Sequence, residues 1–166
     1  MTHGRKPRKP RVINVNAFGT ALYRAARLTD AEVRETIAPA QACLDRLREG
    51  VATEDQHTVL ATCLQIALEI ERSGIVRGLR EHIAAAQAAM DSIRARALAS
   101  GAWRPTALYF HELDALRDAV EFHEFQLRQV SSGELTAMAR KLIARTQSTG
   151  GTAVRTDMTS LGRQAA

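Results

Sequence analysis

The sequence predicts an all-α protein: an antiparallel helical bundle of four to five helices, with a basic N-terminal arm and a disordered C-terminal tail. Three observations carry this. Apolar residues recur in steps of three and four over two successive segments, first at Val76, Leu79, Ile83, Ala86, Met90, Ile93 and Ala97. They then recur at Tyr109, Leu113, Leu116, Val120, His123, Leu127 and Val130. That is the period of one helix face, and two such stripes in sequence read as paired antiparallel helices. Aromatic residues make up only 4% of the chain, while Ala, Leu and Arg are abundant, which favours helices over sheets. Finally, Thr29 with Glu32, Thr53 with Gln56 and Ser131 with Glu134 have the spacing of capping boxes, in which each end of the motif satisfies a free amide of a helix start.

The elements follow in order. Residues 1–12 form the arm, where Gly4, Pro7 and Pro10 prevent a helix. In residues 12–28, Val12, Ile13 and Val15 suit a short extended anchor and Ala17–Leu28 a helical turn or two. Thr29 caps a helix running to Glu49 and closed by Gly50, with a kink or break expected at Pro39. Thr53 opens a helix through Arg72, ended by Gly74. The next helix spans about 75–99. Its run Ala84–Ala89, small on every side, suits close packing and self-association. Gly74 and Gly78 have the spacing of a small-residue helix contact. Trp103-Arg104-Pro105 turns the chain, Thr106 is a candidate cap for a helix over 107–130, and Ser131 opens a last helix to about Thr146. The bundle domain is thus 13–147, and 148–166, small, polar and aperiodic, is the tail.

A chain of 166 residues suits one domain with a real core. No apolar run is long enough to span a bilayer, so no membrane partner is expected. Cys43 and Cys63 are too few for a disulfide framework and sit in helical apolar patterns. They read as buried free thiols in a reducing cytoplasm.

The net charge of +5 is unevenly placed. Arg5, Lys6, Arg8, Lys9 and Arg11 stand in residues 1–11 with no acid, whereas residues 12–133 hold 13 basic and 16 acidic side chains. Residues 134–166 return to five basic and two acidic. This is a basic arm on a mildly acidic module, not a uniformly basic surface.

The motifs of common enzyme classes are missing. There is no glycine-rich phosphate loop, G-x-S-x-G or Cys-x-x-Cys. A di-metal bundle site needs Glu-x-x-His on two helices, but only Glu54–His57 has that spacing. No enzyme activity, metal or cofactor is expected. His123, between Val120 and Leu127, reads as a buried neutral imidazole bonded to a neighbour rather than a ligand or proton-transfer group. His111, Asp114, Asp118 and Glu121 form a polar stripe on the same helix. A stripe of that kind is a solvated face or a docking surface for a basic partner, and less naturally a divalent-cation site. The five arm cations suit a phosphate backbone or nucleic-acid groove, or serve only to keep the chain soluble.

Arg5-Lys6-Pro7-Arg8 leading to Arg11-Val12-Ile13-Asn14, then Leu47-Arg48-Glu49-Gly50-Val51-Ala52-Thr53 and Val120-Glu121-Phe122-His123, resemble small helical proteins encoded by phages and prophages of Gram-negative bacteria, over most of residues 5–145. The resemblance implies a bacterial cytoplasm and an accessory role in phage replication, regulation or host interference. It brings no catalytic or binding residue with it. The expected function is non-enzymatic engagement of nucleic acid, or of a nucleic-acid-bound complex, through the arm. A homo-oligomer is an accompanying expectation. The alternative is an inhibitor or adaptor that binds a host protein complex through a helix face.

Overall fold

The computed structural model describes residues 15–150, which form six helices and no strand. They are α1 Val15–Ala25, α2 Asp30–Arg48, α3 Glu54–Ser73, α4 Arg80–Ala97, α5 Phe110–Leu127 and α6 Ser132–Ser148. The all-α expectation stands, with one helix more than the four to five expected. The extra helix is α1, where the sequence offered only a turn or two. Of the extended anchor expected at Val12, Ile13 and Val15, the first two lie outside the described residues, as does the disordered state of 151–166, while Val15 opens α1 instead. At residue 148 the expected tail boundary falls inside α6, which continues to Ser148.

Four helices close the core. α2 packs against α3 and α5, and α4 packs against the same two, so the order around the bundle is α2–α3–α4–α5. Val33, Ile37, Leu60, Leu64, Ile70, Ile83, Ile93, Leu116 and Leu127 are fully buried between them. At roughly 25 cal/mol per Å2 of apolar area, each such side chain contributes about 1.5–3 kcal/mol to the fold. α6 lies against α3, and α1 lies against α6.

The three capping boxes form as the sequence predicts. Thr29, Thr53 and Ser131 each accept the backbone N–H of the residue three ahead, whose side chain reaches back to the cap amide. Gly50 adopts the left-handed conformation expected of it, with φ of 71°, and Gly74, expected to close α3 or form the turn, is its left-handed cap at φ 80°.

Four expectations are corrected. α2 runs through Pro39 as one helix, so of the kink or break expected near Ala38 the break does not form. Proline withholds one amide there, but Ile37 and Ala40 on either side are locked in the core at 1% and 2% exposure, and packing outweighs the lost bond. The helix expected from residue 75 starts at Arg80, because Glu71 captures the chain first: its carboxylate accepts the N–H groups of Gly78 (3.0 Å) and Leu79 (3.3 Å). Gly78 turns at φ 93°, so Gly74 and Gly78 are turn residues, not a helix contact. Val76 and Leu79 still pack on the core from this loop, which is why they mimic a helix stripe. The fourth predicted helix, α5, starts at Phe110 rather than 107, with Tyr109 and not Thr106 at its cap. Glu112 sets that start by accepting the Tyr109 N–H at 2.9 Å.

Candidate functional site

The five arm residues Arg5, Lys6, Arg8, Lys9 and Arg11 lie outside the described residues. The arm leads into α1, whose residues from Ala17 to Ala25 are all exposed. Phe18, Ala21, Leu22 and Ala25 share one face of this helix, and Phe18 and Leu22 are 71% and 57% exposed. The attachment of α1 to the body comes from elsewhere. Tyr23 Oη donates to Glu32 Oε1 at 2.8 Å, Ser132 N–H donates to the Ala26 carbonyl, and Leu28 N–H donates to that of Val130. Gly133 permits the approach, since a Cβ there would sit 2.8 Å from the Arg24 carbonyl oxygen. α1 is thus pinned at one end with its apolar face turned outward, the reverse of an ordinary amphipathic helix.

The α5 stripe is solvent-facing: His111 and Glu121 are exposed, Asp114 and Asp118 half-buried. The His111 ring stacks on Tyr109 at 5.8 Å, and Asp114 pairs with Arg117 at 3.4 Å. The four do not converge, and no group of His, Cys, Asp or Glu among the described residues is placed to hold a metal ion. Nearby, a shallow groove of about 420 Å3 lies between α4 and α5, with Ala85, Ala88, Ser92 and Ala115 among its walls. Ala84, Ala85 and Ala88 are exposed on that side while Ala86 and Ala89 enter the core.

Two polar centres escape the sequence reading because their members occupy stripe positions. At the first, Glu112 is wholly buried and takes both Nη groups of Arg96, at 2.6 Å each. Arg96 also lies over the Tyr109 ring, 4.3 Å from its centroid. Burial alone would raise the Glu112 carboxyl, but Arg96 and the Tyr109 amide outweigh it and hold it down at about 2.

The second centre joins α3 and α6. Glu69, 3% exposed, accepts from Arg72 Nη1 (2.8 Å), Lys141 Nζ (3.0 Å) and Arg145 Nη2 (2.7 Å). Burial opposes its charge, but the three cations prevail and hold the carboxyl at about 2. α6 contributes Leu142 to the buried core and packs Leu135 and Met138 against it, and this clamp ties its second half to α3.

Two histidines are also buried, each with its own partners: His57, and His123 in the seam where the sequence expects it. His57 Nε2–H donates to the Met90 carbonyl at 2.9 Å, with its ring against Trp103. Trp103 Nε1–H in turn donates to the Ala52 carbonyl at 2.9 Å, tying two loops together. His123 sits in the α5 seam beside Gln126, whose Nε2 donates to the Ala67 carbonyl at 3.1 Å. A carbonyl only accepts, so Gln126 Oε1 faces His123 and Nδ1 carries the proton of that 3.2 Å bond. Burial pushes the imidazole down to about 4, the hydrogen bond to Gln126 opposing it. Cys43 and Cys63 are free thiols, pushed up by burial to about 11 and about 12, and so are not nucleophiles at neutral pH.

Comparison with protein families, curated proteins and solved structures finds no match. No helix among the described residues is long and apolar enough to cross a membrane.

Proposed function

We propose that this chain is a non-enzymatic, phage-type accessory module of the bacterial cytoplasm that engages nucleic acid, alone or within a complex, through its basic arm. One observation carries the reading: the first acidic residue is Asp30, and the 29 residues before it hold seven cations. Such a segment gains by releasing counterions from a phosphate backbone and has nothing to repel it. The bundle supplies a rigid base, and the exposed Ala84, Ala85 and Ala88 leave a face open to a second copy. If all five arm cations meet duplex phosphates, log K falls against log salt with a slope of roughly −4.5, from about 0.9 per phosphate. Deleting residues 1–11 should remove that contribution for every sequence alike and leave helicity unchanged, as read by fluorescence anisotropy and circular dichroism. A truncated chain that binds as tightly as the full one reduces the arm to a solubilising tail.

The second reading, an adaptor or inhibitor that docks on a host protein, is favoured by α1. An apolar face held outward beside a cationic arm suits a hydrophobic groove with an acidic rim on a partner. The α5 stripe of His111, Asp114, Asp118 and Glu121 is a further face for a basic partner. Phe18→Gln with Leu22→Gln, which adds no charge beside the arm, separates the two readings. The pair leaves phosphate contacts intact, so duplex binding should change less than about twofold if the arm acts alone. Loss of a partner captured from nuclease-treated lysate, with duplex binding unchanged, favours the adaptor.

A further inference from the structure

The arm is not the only place where cations gather. Around Glu69 the structure assembles Arg72 from α3 with Lys141 and Arg145 from α6, all within 3.0 Å of a single carboxylate. Three cations on one anion leave a local charge of +2. The carboxylate lies beneath the surface with its side chain 3% exposed, while the cations stand above it at 49%, 66% and 49%. Each spends one group on Glu69 and keeps further N–H donors facing solvent. Lys141 also borders a groove of about 350 Å3 walled by Ser73, Ile75, Ala137 and Met138, with Glu134 as its one acid. Glu134 is engaged in its own capping box with Ser131.

We propose that Arg72, Lys141 and Arg145, gathered on Glu69 at the α3–α6 seam, form a phosphate-binding site on the body of the bundle. Holding three cations side by side costs repulsion, and Glu69 meets part of that cost from below. A phosphate group approaching from solvent meets the rest from above. Arginine and lysine together supply both the forked and the point-charge modes of phosphate contact. Glu69 therefore gathers the three cations in the unliganded protein and, as an anion bonded to the same donors, competes with an incoming phosphate for them. The choice of nucleic acid as the source of the phosphates rests on the reading above. The site itself does not, and a free polyphosphate uses the same donors.

The test uses the full-length protein and two probes, inorganic tripolyphosphate followed by thermal shift and a labelled 20-base-pair duplex followed by anisotropy. Replacing Lys141 and Arg145 together by Gln removes two contacts. The duplex salt slope should fall by about 1.8, which at 0.1 M salt is roughly a sixtyfold loss of affinity. The thermal shift with tripolyphosphate should shrink with it. Arg117→Gln, an exposed cation on α5 paired with Asp114, is the control and should cost far less. Glu69→Gln gives the opposite sign. It uncovers the full +3, so the apo protein melts lower while tripolyphosphate binds more tightly and restores more stability than in wild type. If the double variant binds both probes as wild type does, or Glu69→Gln gains nothing from tripolyphosphate, the site is overturned. Should the wild-type chain ignore duplex yet be stabilised by tripolyphosphate through these residues, the site stands and the nucleic-acid reading falls.

Discussion

Arg96→Ala should destabilise the fold by about 3 kcal/mol, the low end of the cost of stripping one partner from a buried ion pair. The low end applies because the Arg96 side chain is 24% exposed, while that of Glu112 is 1% exposed. The loss is compound. Glu112 would be left among core residues with the Tyr109 amide and the Ser92 hydroxyl to bond it, and the Tyr109 ring would lose the cation that covers it. At this chain length the change corresponds to a fall in Tm of roughly 6–12 °C, readable by thermal melting and by urea titration. The pair is not the optimum for stability, since Arg96 Nε is buried without a partner. Arg96→Met with Glu112→Leu should therefore recover most of the loss, as apolar replacements of buried pairs often do. A single variant within about 1 kcal/mol of wild type would show that solvent reaches the carboxylate freely. Acid acts on the same bond. A carboxyl held at about 2 contributes stability above its ordinary value near 4.5 and loses it as pH falls toward 2. Glu69 behaves alike.

The legible and illegible parts of this chain divide along physical lines. Capping boxes are local, so Thr29, Thr53 and Ser131 reveal their helices without knowledge of the fold. Periodicity is also local, and it places Ile83, Met90, Ile93, Leu116 and Leu127 in the core, where they are found. It fails where a side chain from another element decides the backbone. Glu71 lies at the end of α3 yet sets the start of α4 by holding Gly78 and Leu79, and no pattern within 75–99 contains that fact. The buried glutamates fail for a related reason. Glu69 and Glu112 stand at core-facing registers, but a carboxylate is read as solvated until its cations are known, and apart from Arg72 on α3 itself these come from α6 and α4. The register of the α5 stripe was readable in part. Its middle, Leu116 to Leu127, is buried, whereas Tyr109 at its start is 55% exposed because the helix begins only after it. The outward turn of α1 was not readable at all, since amphipathicity states which face is apolar and not which face is attached.

The stability of the fold should decline as pH falls from about 6.5 to 4, and His123 should carry most of that decline. In the folded chain its imidazole is buried beside Gln126, and burial holds its pKa at about 4. In the unfolded chain it returns to about 6.5. Between those values the unfolded state binds the extra proton, so protonation draws the equilibrium toward unfolding. The contribution is whole above pH 6.5 and is lost as pH falls through 4. Its size is on the order of 3 kcal/mol, from about 1.4 kcal/mol per pKa unit. His57, lowered by its own burial, adds a smaller term of the same sign, and the glutamates act only below about 4.5. Urea midpoints measured from pH 8 to pH 4 should thus fall steadily in the wild-type protein. His123→Leu should fold at neutral pH with a baseline loss of about 1–3 kcal/mol, since Gln126 Oε1 loses its donor. Its midpoints should then be much flatter between pH 6.5 and 5, where no carboxylate interferes. A variant that keeps the wild-type slope over that interval would place the acid sensitivity elsewhere, with His57 the first residue to replace.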